Sequence, residues 1–234
     1  MNDIKTAISP VAKTIKQVVP FDPQTDHLLL FDLTAANQTL TPEMVGDTAL
    51  FSNYINSRLK AAGATYGIGG YNEHRTVYAR SGLFDGAGEP RRLHLGVDIW
   101  GAAGTPVHAP VDGTIHSFAN NEGYGDYGAT IILQHVIGNF VFYSLYGHLS
   151  AKDLLHLRTG QVINAGEKIA HFGKPEENGQ WPPHLHFQLM LDMRGYSGDY
   201  PGVCKFSERS EWLANSPDPD LFLQMMQYAK PDQY

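Results

Sequence analysis

Pro182-Pro183-His184-Leu185-His186-Phe187-Gln188-Leu189 is the stretch on which the reading of this chain turns. A β-strand alternates its side chains with a period of two, so His184 and His186 share one face and Leu185, Phe187, Leu189 and Leu191 share the other. The second set is a core face. The first sets two imidazoles side by side, which packs poorly but suits a metal ligand next to a proton acceptor.

Two further clusters lie upstream. In His94-Leu95-Gly96-Val97-Asp98, the even spacing sends His94 and Asp98 to one side of an extended segment, with Leu95, Val97 and Ile99 on the other. Gly96 and the β-favouring run from Val97 to Trp100 argue against a helix here. A histidine nitrogen, an aspartate oxygen and a second histidine nitrogen make an ordinary catalytic zinc site, whose fourth position is left to water. Tyr146-Gly147-His148-Leu149 closes the strand that begins at Phe140, and a histidine where a strand gives way to a turn is well placed to face a cleft.

The bulk numbers narrow the class. The chain has 234 residues and a formal charge of −7, with no long basic run, so a cationic nucleic-acid-binding face is excluded. A run of about 18 apolar residues is absent, so no membrane span is expected. Cys204 is the sole cysteine and reads as a small buried hydrophobe, neither half of an internal disulfide nor part of a cysteine-rich zinc site. The first residues lack the pattern of a secretory signal, which points to a cytoplasmic protein, or to the cell envelope if a native N-terminus is missing.

Residues 1–90 carry the helix signals. A helix is expected over 42–62, with Thr41 as cap, Pro42 in the first turn, and Gly63 at the C-terminal cap. A shorter one is expected over 4–18, interrupted by Pro10, and a strand at 27–31. After residue 90 short strands alternate with turns: 95–100, 106–111, 113–119, 129–136, 140–147, 161–164, 168–172 and 184–192, with Asp112-Gly113 and Gly138-Asn139 as hairpin turns. The tail carries a helix signal at 219–229. The expected fold is mainly β: an antiparallel domain over 91–204, a partly helical N-terminal extension over 1–90 packing on it, and a tail over 205–234.

His94-x-Gly96-x-Asp98, Tyr146-Gly147-His148-Leu149 and His184-Leu185-His186-Phe187, in this order, resemble the lysostaphin/LytM-type zinc endopeptidases. Gly104–Gly113 and Gly160–Ala170 resemble the family's connecting stretches, so the likeness covers residues 91–191. It implies a small antiparallel sheet with a grooved face, one zinc ion on His94, Asp98 and His186, and His148 and His184 as catalytic histidines. It also implies hydrolysis of peptide bonds in peptidoglycan stem peptides or cross-bridges. Two departures stand out: residues 173–183 are bulky and acidic where the family is rich in Gly, Ser and Thr, and Gln188 replaces a glutamate. Related domains also occur within larger intracellular proteins, so the chain is readable as part of a multidomain protein.

Three functions compete on this reading: a peptidoglycan-type metalloendopeptidase, an intracellular zinc hydrolase of a non-wall amide, and a non-catalytic peptide-binding or activator module. Retention of all five polar residues favours an enzyme. Asn72, Arg75, Asp126, Tyr146 and Trp181 are candidate substrate contacts; for the Asn72–Arg75 cluster, a solvated loop with a salt bridge is the competing reading. His27, His108, His116, His135, His156 and His171 belong to no such constellation and read as structural.

Overall fold

Alternation of apolar and polar residues builds the scaffold. The computed structural model describes residues 4–85 and 88–231. Strands run at Leu28–Phe31 (β1), Tyr66–Gly69 (β2), Arg91–His94 (β3), Val97–Trp100 (β4), Pro106–His108 (β5), Gly113–Asn121 (β6), Gly128–Ile137 (β7), Phe140–Leu149 (β8), Val162–Ile163 (β9), Lys168–His171 (β10), His184–Met190 (β11), Val203–Lys205 (β12) and Ala229–Pro231 (β13). Helices are short except one: Ile4–Ile8 (α1), Pro42–Gly46 (α2), Thr48–Ala62 (α3), Arg209–Asn215 (α4) and Asp220–Leu223 (α5).

One nine-stranded sheet, ordered β13-β1-β2-β4-β11-β8-β7-β6-β9, dominates the fold. It is antiparallel except at one edge, where β1 runs parallel to both β2 and β13. β11 lies at its centre, between β4 and β8, with His186 opposite Asp98 on one side and Gly147 on the other. β2, from the N-terminal part of the chain, pairs directly with β4, so that part supplies strands as well as helices.

The two faces of the sheet have different coverings. Val97, Ile99, Leu185, Phe187, Leu189, Ile131 and Tyr146 form one core with Ile4, Val18, Phe222 and Leu223 from the two ends of the chain. On the opposite face Leu33, Phe51, Ile55, Tyr78, Trp100 and Trp181 form a second cluster under α3. Ile132, Leu145, Met190 and Tyr200 form a third. His184 and His186 project from this second face, as their parity demands.

Several expected elements are shorter or divided. The helix over 42–62 is two helices, because Asp47 takes an extended conformation and its carboxylate accepts from the amides of Ala49 and Leu50, capping α3. Thr41 caps α2 and Gly63 ends α3 with a left-handed φ of 59°, both as expected. The helix over 4–18 ends at Ile8 and passes into a 3₁₀ turn at Ser9–Val11 that contains Pro10. In the tail, Gln224 turns left-handed at φ 51° after one helical turn, and the chain goes on to form β13. Gly138-Asn139 does join the β7–β8 hairpin, but Asp112-Gly113 is no hairpin turn: β5 pairs with β10, whereas β6 pairs with β7 and β9.

His135 is structural. It is buried, with Nδ1 on the Asp112 carbonyl at 2.8 Å and Nε2 against Ser144 Oγ at 2.7 Å. Burial pushes its imidazole down to about 4. The unfolded chain takes up this proton near pH 6.5 and the folded chain only near 4, so stability is lost as pH falls through that window, by at most about 1.4 kcal/mol per pH unit from this group. His135→Gln should therefore flatten the dependence of the urea midpoint on pH between 6.5 and 4. An unchanged slope would place the acid sensitivity elsewhere.

Candidate metal centre and cavity

Gly96 lets the first cluster form. The extended run expected over 94–98 is broken there: β3 pairs with β12 in a separate two-stranded sheet, and β4 joins the main sheet. A β-carbon at position 96 would stand 2.6 Å from His186 Cε1, so only glycine lets the ring pass. His94 Nε2 lies 3.3 Å from Asp98 Oδ1 and 3.0 Å from His186 Nδ1, and His186 Nδ1 lies 2.9 Å from the same carboxylate oxygen. His94, Asp98 and His186 are buried together and each offers one atom to a metal ion.

The outer partners fix the ring tautomers. His94 Nδ1 donates to the Gly70 carbonyl at 3.1 Å, and His186 Nε2 donates to Gln188 Oε1 at 2.9 Å. Nε2 of His94 and Nδ1 of His186 are thereby left as lone pairs facing Asp98 Oδ1. Three electron-pair donors converging without a proton between them are the surroundings of a cation, and the donor set suits zinc. Gln188 holds its acceptor in place by donating to the Pro201 carbonyl at 3.2 Å and Ser216 Oγ at 3.3 Å.

Asp98 Oδ2 faces away from the histidines and accepts from Arg75 Nη1, while Arg75 Nε donates to Glu73 at 2.6 Å. Arg75 is 1% exposed. The flanking histidines and guanidinium hold the Asp98 carboxyl well below its usual range against the opposing effect of burial. Burial, reinforced by Arg75, pushes His94 down to about 3.

His148 and His184 sit beside this cluster with ring centroids 4.1 Å apart. His184 Nδ1 donates to the Pro182 carbonyl at 2.7 Å and His148 Nδ1 to the Asn178 carbonyl at 2.9 Å, so both expose Nε2 as the free nitrogen. Burial lowers both, His184 to about 4, so both are neutral at pH 7. Strict alternation would turn His148 to the core with Tyr146. Instead it adopts a left-handed φ of 62°, a conformation that costs a non-glycine residue energy and that clusters at functional sites.

A cavity of about 220 Å³ opens over these groups. Among the expected substrate contacts, Arg75, Asp126 and Trp181 line it. Tyr146 does not: its ring is in the opposite core and its hydroxyl accepts from Ser144. Asn72 is also absent from the lining; it binds the His94 carbonyl through its amide and Arg209 through its side chain. Tyr78 and Asp199 line the cavity and were not expected there, and Tyr127, beside Asp126, lines it as well. Tyr127 sits between His148 and His186, with ring centroids 5.4 and 5.1 Å away, and its place in the glycine-rich loop before Gly128 is the signal that marked it.

Residues 92–197 match the model of Peptidase family M23. A metalloprotease of Haemophilus influenzae, itself described as uncharacterized, is 36% identical over 103 residues, which are 44% of this chain and 20% of that protein. The L-Ala--D-Glu endopeptidase of Bacillus subtilis is 31% identical over 109 residues, 44% of this chain and 31% of the enzyme. The chain thus spans under a third of the length of either relative. Lysostaphin of Staphylococcus simulans is 28% identical, with a TM-score of 0.39 over 58% of this chain and 46% of that structure. Residues 92–197, just under half of the chain, are thus similar to the M23 peptidases, the likeness that the three motifs led us to expect.

Gln188→Met keeps the volume of the side chain but removes the acceptor for His186 Nε2–H. Zinc affinity, read by competition with a chromogenic chelator, should fall about 10- to 100-fold. Unchanged affinity would show that Gln188 does not orient the ring.

Proposed function

We propose that the chain is a zinc-dependent hydrolase of a peptide or related amide bond, with His94, Asp98 and His186 holding one zinc ion and His184 and His148 handling protons. The convergence of three deprotonated donor atoms beside two neutral imidazoles, both with Nε2 free, carries this reading. Zinc at such a site lowers the pKa of a bound water to about 7 and polarises a carbonyl. His184 Nε2 accepts the proton of the attacking water. His148 cannot donate while neutral, because its one N–H is tied to Asn178. Rings this close do not both carry charge, so a single proton serves the pair: the one that His184 takes from water passes to the leaving amine, directly or through His148 Nε2.

In this reading residues 91–204 are the catalytic β domain, residues 1–90 pack on it and cover one side of the site, and 205–234 are a tail. Peptides that include D-amino acids, the kind named by the Bacillus relative, are the first substrates to try. Among the described residues no helix is long and apolar enough to cross a membrane.

His94→Ala should abolish both zinc content and hydrolysis of such peptides. His184→Gln should keep zinc at one equivalent and lower kcat at least a hundredfold. Full turnover in His184→Gln would remove it from the proton path.

A further inference from the structure

The lining of the cavity is exposed on one side and buried on the other. Its mouth is formed by exposed Leu83 and Tyr196 with Asp126 and Asp199, and its far end by Leu33, Phe51, Trp100 and Trp181, all at most 5% exposed. The far end lies behind His184, whose ring stacks on Trp100 at 5.5 Å and meets Trp181 at 6.3 Å. Phe51, from α3, stands against Trp181 at 6.4 Å and stops the cavity.

A roof keeps it shut. The 3₁₀ turns at Val77–Arg80 and Gly82–Phe84 cross the site, and Arg80 ties them down. Its guanidinium donates to the Gln180 carbonyl at 2.9 Å and to Tyr124 Oη at 3.0 Å, and lies 4.3 Å from the Trp181 ring centroid. Ser81 Oγ donates to the Tyr124 carbonyl at 2.9 Å, and Thr48 Oγ1 to the Gln180 carbonyl at 3.0 Å. Both loops that border the histidines, around Tyr124 and around Gln180, are thereby bound to the N-terminal layer.

The volume and the chemistry of the far end select the ligand. About 220 Å³ is below the ~300–1,000 Å³ of pockets for drug-sized ligands. No residue lining the far end carries a free charge, since Arg75 is bound to Asp98 and Glu73 and Arg80 stands outside the lining behind Phe51 and Trp181, so a terminal carboxylate or ammonium would be buried without a partner in the cavity. Two buried donors nearby have no acceptor among the described residues, Arg80 Nη1 and the indole N–H of Trp181, and of the two only Trp181, 5% exposed, lines the cavity.

We infer that the site is blind behind His184 and acts on amides one of whose ends is short, uncharged and apolar, with a carbonyl for the Trp181 N–H, rather than on bonds inside a polymer. This rests on the hydrolase reading above. The C–N bond breaks, the oxygen of water joins the acyl carbon, and its proton passes to the departing nitrogen, giving an acid and an amine. The longer part of the substrate leaves through the mouth between Asp126 and Tyr196. The roof and Phe51 are therefore specificity-determining, and they reach the reacting bond only by limiting what lies beside it.

The test is a series of N-acyl peptides assayed with the zinc-loaded protein, lengthened one residue at a time on either side of the cleaved bond, together with cross-linked peptidoglycan. Lengthening one side by two residues should cut kcat/KM at least a hundredfold, lengthening the other should change it less than fivefold, and a charge on the short end should cost at least tenfold. Phe51→Ala should raise the ratio of kcat/KM for the longer short-end substrates to that for the shortest at least tenfold. Cleavage of peptidoglycan cross-links, or of peptides long on both sides, as readily as the shortest member would overturn the blind end and leave the hydrolase standing. No hydrolysis of any member with zinc bound would overturn both.

Discussion

Everything at this site depends on one buried carboxylate used from both sides. Asp98 turns Oδ1 to His94 and His186 and Oδ2 to Arg75. An ionised carboxylate this deep is costly unless its lone pairs are answered, and removing one partner leaves an uncompensated charge. Arg75 therefore binds segment 71–80 to the His94–Asp98–His186 cluster, and that segment is the base of the roof. Cluster and cover are thus one electrostatic unit: a negative oxygen that two rings and a guanidinium need in common.

Much of this was legible from parity. The even spacing of His184, His186 and Gln188 placed all three on one face, and the odd positions between them went to the core. Even spacing likewise brought Asp98 to that face, across the sheet from His186. Parity failed at His148, since a single left-handed residue at the end of β8 reverses which side is reached, and nothing in the residue type announces that. It failed also for Tyr146, judged by its neighbour although its own register turns it inward. Arg75 was visible as part of a polar cluster, but its partner is 23 positions away and emerges only when β2 pairs with β4.

The stretch 173–183, bulky and acidic, has a structural meaning that composition alone conceals. The carbonyls of Asn178 and Pro182 set the tautomers of His148 and His184, and Glu177 holds the loop by accepting from Ala151 N at 2.9 Å and Ser150 Oγ at 3.1 Å. Backbone groups do this work, so side-chain identity had little to reveal. What the side chains add, above all Trp181, is the border of the cavity.

The parallel edge of the sheet bears on how the molecule is made. β1, formed by residues 28–31, has its outer side paired with residues 229–231. During synthesis that side stays bare until almost the whole described chain has been translated, and an unpaired apolar strand is a template for other chains. Loop closure over some two hundred residues is also slow. The nascent protein thus carries a bare apolar strand edge until its last residues are made, three strands away from the histidines of β11, which makes β1 a place where a folding helper would act.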